Sequence, residues 1–64
     1  MRQFTVIVRR NRKRSLAYPP LDGEKALTTM RRLQERGFET VAETTANGIT
    51  EQLTLDEMSN LYGF

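Results

Sequence analysis

Asn47-Gly48 joins two segments whose apolar residues alternate with polar ones, and this dipeptide constrains the chain more than any other feature. A two-residue hairpin loop in which both central residues need positive φ is the natural home of Asn-Gly. It fixes a register, pairing Ala46 with Ile49, Thr44 with Glu51 and Ala42 with Leu53. That register gathers Phe38, Ala42, Ile49, Leu53 and Leu55 on one face and Glu39, Glu43, Thr50 and Gln52 on the other, with Val41 as an apolar exception among the latter. Turn chemistry and hydrophobic alternation therefore agree on a second-half hairpin over 38–55.

The first half carries a weaker version of the same signal. Phe4 to Val8 is rich in β-branched residues and predicts a strand, with Phe4, Val6 and Val8 on one face and Thr5, Ile7 and Arg9 on the other. Asn11 to Ser15 is expected to be a basic loop, Leu16 to Tyr18 a short returning strand, and Pro19-Pro20 its end, since proline has no N–H to give a ladder. Asp22 is placed as the N-cap of a helix reaching about Arg36, with Ala26, Leu27, Met30 and Leu33 on its apolar side and Gly37 as its left-handed stop. Thr54 and Glu57 form a capping box for a final helix from about Leu55 to Tyr62, closed by Gly63. The expected fold class is α+β: one β-β-α-β-β-α domain over residues 1–64, with a mostly antiparallel sheet and the long helix on one face.

Composition narrows the chemistry. At 64 residues, with neither cysteine nor histidine, the chain lacks disulfides, thiolate sites and imidazole ligands. Absence of cysteine, of a long apolar run and of a signal-peptide pattern leads to a reducing, cytoplasmic setting, and the Met1 start to a complete small gene product. The carboxylates do not converge. Glu43 and Glu51 fall on opposite faces of the hairpin, and Glu39 and Glu43 lie roughly 13 Å apart along one strand. Asp22, Asp56 and Glu57 have helix-terminal roles. Ser15 and Ser59 have no histidine to activate them, and the four glycines form no phosphate-binding spacing. No enzyme, metal or cofactor is expected.

Charge is instead sorted along the chain. Net charge is only +2, yet residues 1–14 carry Arg2, Arg9, Arg10, Arg12, Lys13 and Arg14 and no acid, whereas residues 38–64 carry Glu39, Glu43, Glu51, Asp56 and Glu57 and no base. Five bases within positions 9–14 read as a phosphate-contacting finger, or as a charged loop that blocks edge-to-edge aggregation. Lys25, Thr29, Arg32 and Arg36 form a helix stripe beside the apolar face; it extends the basic patch, or merely complements the helix dipole. With Tyr18 the only aromatic near the loop, duplex DNA or structured RNA fits better than a stacked single strand. The expected function is nucleic-acid binding or regulation through Arg9, Arg10, Arg12, Lys13, Arg14, Lys25, Arg32 and Arg36. The alternative is a protein-binding adaptor or inhibitor, phage or mobile-element encoded, that docks an acidic protein surface. A monomer or a weak, electrostatic dimer is expected, with Leu61, Tyr62 and Phe64 packing on the sheet.

The opening run FTVIVRRNRKRSLAYPPLDG resembles the start of HicB-type antitoxins, where a short hairpin and a Pro-x-Leu-x-Gly turn precede a helix. Its strand, basic turn, strand and helix order is also similar to the arm-binding domains of phage integrases. The likeness covers under a third of the chain and assigns no residue a role.

Overall fold

The computed structural model describes residues 2–10 and 13–63, with backbone alone for residue 10 and residues 13–17. Its elements are β1 (Gln3–Arg10), β2 (Lys13–Ala17), β3 (Leu21–Asp22), α1 (Gly23–Glu35), β4 (Glu39–Ala46), β5 (Ile49–Leu53) and α2 (Leu55–Tyr62). The main sheet has the order β2-β1-β4-β5 with every neighbour antiparallel, so the α+β arrangement expected from sequence is the observed one.

The second hairpin has the anticipated register, pairing Ala46 with Ile49, Thr44 with Glu51 and Ala42 with Leu53. Asn47 and Gly48 both have positive φ, 53° and 77°. Only small or locally hydrogen-bonding residues adopt that conformation without strain.

The first hairpin differs from expectation. The ladder continues to Arg10 opposite Lys13, so Lys13, Arg14 and Ser15 belong to a strand and not to a loop. Backbone hydrogen bonding sets the limit of a ladder, and a run of basic residues does not interrupt it. The register slips after Val8, leaving Ser15 as the extra residue of a bulge.

Pro19-Pro20 ends β2, as expected, but the pairing along β1 resumes beyond it. Tyr18 donates its N–H to the Val6 carbonyl, and Leu21 and Asp22 then lie opposite Phe4 and Gln3. β2 and β3 thus form one edge strand broken opposite Thr5. An edge is where proline is tolerated, because the missing N–H disrupts no second ladder.

Both helices lie on the face formed by Phe4, Val6, Val8 and Ala42. Asp22 caps α1 by accepting from the Lys25 N–H at 2.9 Å. At the other end Gly37 (φ 88°) donates to the Gln34 carbonyl and Phe38 to that of Leu33, closing a Schellman motif. The Thr54/Glu57 capping box opens α2 with both reciprocal bonds present, at 3.0 and 3.2 Å.

The core joins Phe4, Val6 and Val8 to Ala26, Leu27, Met30, Leu33, Ala42 and Met58. Each large apolar side chain buried there contributes about 1.5–3 kcal/mol. Tyr62 seals one end, its ring edge-on to Phe4 at 5.6 Å and pressed against Gly23, where any Cβ would collide with it. Ile7 is buried on the helix-free face, opposite Val41 and Ala17. Ile49 departs from expectation: it points to the helix side, yet is 68% exposed because neither helix reaches it. Leu61 is likewise 48% exposed, so the terminal apolar cluster packs through Tyr62 alone among the described residues.

Candidate nucleic-acid interface

The basic residues come from β1, β2 and α1, and the topology decides which of them meet. α1 runs in the same direction as β1: Asp22, before the helix, pairs with Gln3, and Glu39, just after it, pairs with Arg9. The C-terminal half of α1 therefore ends beside the basic end of the first hairpin. Arg32 and Arg36 stand there. They line a groove of ≈ 250 Å³ with Tyr18, Thr29 and Leu33, on the flank of α1 that faces the β2 edge.

Lys25 lies on the same stripe but at the opposite end of the helix, about 16 Å along the axis from Arg36. It belongs with Asp22 and Gly23, not with the hairpin. The stripe is therefore continuous along α1, but only its C-terminal part adjoins the strand ends at residues 9–10 and 13–14.

Arg9 is exposed and lies between Arg14 and Glu39 in the two ladders. Arg10 and Lys13 form the last described pair of the hairpin. Arg12 lies outside the described residues. Neither Arg32 nor Arg36 makes an ion pair or side-chain hydrogen bond among the described residues; Arg2, by contrast, pairs with Glu51 at 3.3 Å. Arg31, whose neighbour Arg32 turns to the β2 side, faces α2 and donates to the Ser59 hydroxyl at 3.1 Å.

The acids are not at the far end of the molecule. Arg9 lines a second groove, of ≈ 240 Å³, with Gln34, Glu39, Thr40, Val41 and the start of α2 at Thr54, Leu55 and Asp56. Basic and acidic surfaces thus lie side by side at one end of the fold, with the boundary between β1 and β4. The separation along the sequence becomes a left–right separation because the sheet places β4 directly against β1. An extended polyanion is favoured only along the β2 flank, since Glu39, Asp56 and Glu57 repel it on the other.

From sequence alone Tyr18 belongs at the core margin. It packs against the core and also forms a wall of the groove with Arg32 and Arg36. The Tyr18–Val6 bond that holds it there is masked in the sequence by the two prolines that follow. Among the described residues no three carboxylates cluster so as to hold a metal ion, and no helix is long and apolar enough to cross a membrane.

No family model, curated protein or solved structure matches this chain. The likeness to HicB-type antitoxins and integrase arm-binding domains rests on the opening run alone.

Proposed function

We propose that this chain is a non-enzymatic nucleic-acid-binding domain of the cytoplasm that grips the phosphate backbone of duplex DNA or structured RNA along its β2 flank. One observation carries the reading: the strand ends bearing Arg9, Arg10, Lys13 and Arg14 adjoin the end of α1 that bears Arg32 and Arg36, while Glu39 and Asp56 stand on the β4 side. Arg32 and Arg36 have no acid partner among the described residues, so their guanidinium groups are available to an external anion. Arginine suits this role because its planar fork matches phosphate oxygens in pairs. The Tyr18 groove lies directly between the helix arginines and the edge strand, where a backbone strand would run.

The test is binding to random-sequence duplex DNA as a function of salt. The wild type is expected to bind with micromolar affinity that falls steeply as salt rises. Substituting Arg10, Arg12, Lys13 and Arg14 with alanine should abolish binding and leave the fold intact. Arg32→Ala with Arg36→Ala should flatten the log–log salt slope by about 0.9 for each phosphate that is no longer neutralised. Absence of binding by the wild type at low salt would overturn the reading for duplex DNA.

A second reading follows from the adjacency of Arg9 and Glu39. A surface with opposite charges side by side also suits a dipolar protein partner, which electrostatic complementarity would orient. Such an adaptor would lose affinity on removal of Glu39 and Asp56 as well as of the bases, whereas nucleic-acid binding would strengthen.

A further inference from the structure

The two edges of the sheet are built differently. The β2–β3 edge is broken by Pro19-Pro20 and carries Lys13 and Arg14, features that discourage strand addition. β5, Ile49–Leu53, has no such guard. It contains neither proline nor a basic residue, its first four residues are exposed, and no described strand pairs with its outer side.

A two-residue hairpin loop closes on a hydrogen-bonded pair, here Ala46 and Ile49. Ile49, Glu51 and Leu53 therefore turn their backbone N–H and C=O groups toward β4. Thr50 and Gln52 turn theirs outward, to the open edge.

The two large apolar residues most exposed among the described ones both border this edge: Ile49 at 68% and Leu61 at 48%. Ser59 of α2 meets Arg31 of α1, and Leu61, two residues later, is about 200° further round the helix. Leu61 thus faces away from α1, on the β5 side. An unguarded strand edge and the exposed apolar side chains coincide.

We propose that a second copy of this chain occupies the β5 edge, the two β5 strands pairing antiparallel about a two-fold axis. One register satisfies the outward groups of both strands: Thr50 opposite Gln52 of the partner, twice over, giving four backbone hydrogen bonds. The same register sets Ile49 opposite Leu53 of the partner on the helix side, where each covers the other. Its one unfavourable contact is Glu51 against the same residue of the other copy, and each Glu51 already carries Arg2 as a counter-charge at 3.3 Å. Self-complementarity of ITEQL in this register is the reason a like copy fits the edge. The inference is independent of what the basic flank binds.

Sedimentation equilibrium up to millimolar concentration tests this, at low salt and at ~1 M salt, where screening acts within about 3 Å. The wild type is expected to form dimers that persist in high salt. Thr50→Pro removes an outward N–H and no β4–β5 backbone bond, though it also gives up the 2.9 Å hydroxyl hydrogen bond between Thr45 and Thr50, and Ile49→Lys charges the apolar contact. Each should lower the association constant at least ten-fold; Ile49→Lys should leave the thermal midpoint of the monomer in place, and Thr50→Pro should lower it only by the loss of the Thr45 hydroxyl contact. Hydrogen exchange supplies a readout that needs no variant: the Thr50 and Gln52 amides should gain protection as concentration rises, while Glu51 and Leu53 are protected throughout. A wild type that stays monomeric, a dimer that disperses in high salt, or exchange at Thr50 and Gln52 unaffected by concentration would each overturn the proposal.

Discussion

Thr40 is the residue at which this fold is locally least satisfied. It lies on the helix side of β4 with only 8% of its surface exposed, and its hydroxyl has no hydrogen-bond partner among the described residues. Burying a hydroxyl without a partner costs free energy, and a shape-matched apolar replacement removes that cost. Thr40→Val should therefore stabilise the protein by roughly 1 kcal/mol, read as a raised chemical-denaturation midpoint. Thr40→Ser keeps the hydroxyl and gives up the methyl group, and should destabilise by about 0.8 kcal/mol. A lowered midpoint for Thr40→Val would mean that the hydroxyl does have a partner in solution. Alternation alone puts Thr40 on the core face; its lack of a partner emerges only once Val8 and the start of α2 are packed around it.

Among the elements, the β4–β5 hairpin depends most on one residue type. Gly48 has a φ of 77° with nothing within 4 Å of the position a Cβ would take. The cost of a side chain there is backbone strain and not collision. Gly48→Val should destabilise by about 1–3 kcal/mol, whereas Gly48→Asn should cost much less, because asparagine tolerates the left-handed region. Equal denaturation midpoints for the valine variant and the wild type would place the turn elsewhere and undo the register of β5. The sequence was most informative here, since turn type, strand alternation and the Thr54 cap constrain one another within 17 residues, 38–54. It was least informative at β2 and β3, where five bases and two prolines disguised a broken edge strand as a loop followed by a stop.

On the scale of the whole molecule, the sheet order decides what the charges do. β1 and β4 are neighbours, so a chain with basic and acidic halves becomes a molecule with basic and acidic flanks. In a dimer joined at β5 the order runs from β2 of one copy to β2 of the other across seven strand spacings, roughly 34 Å. One turn of duplex DNA is about 34–36 Å long. The two basic flanks would then engage one duplex together, and the second contact would gain from high effective concentration. Thr50→Pro leaves charge unchanged, and should lower affinity for a duplex of ~24 base pairs at least ten-fold while leaving an ~8-base-pair duplex unaffected. Fluorescence anisotropy with the two lengths at one salt concentration measures this. Equal affinities for the long duplex would show that each flank binds alone.

The local pieces are legible in the sequence: the Asn47-Gly48 turn and its register, the Asp22 and Thr54 caps, the Gly37 stop and the apolar face of α1. Each depends on interactions within a few residues, where backbone geometry and short-range hydrogen bonds leave few alternatives. Tertiary structure alone decided that β1 lies between β2 and β4, and with it that Arg32 and Arg36 join the hairpin bases while Lys25 does not, that Glu39 and Asp56 stand beside Arg9, and that Ile49 lies beyond the reach of both helices. These are long-range outcomes of how strands pair and where helices end. A charge or an apolar side chain carries the same local signal whether its neighbour across the sheet is a partner, a rival or water.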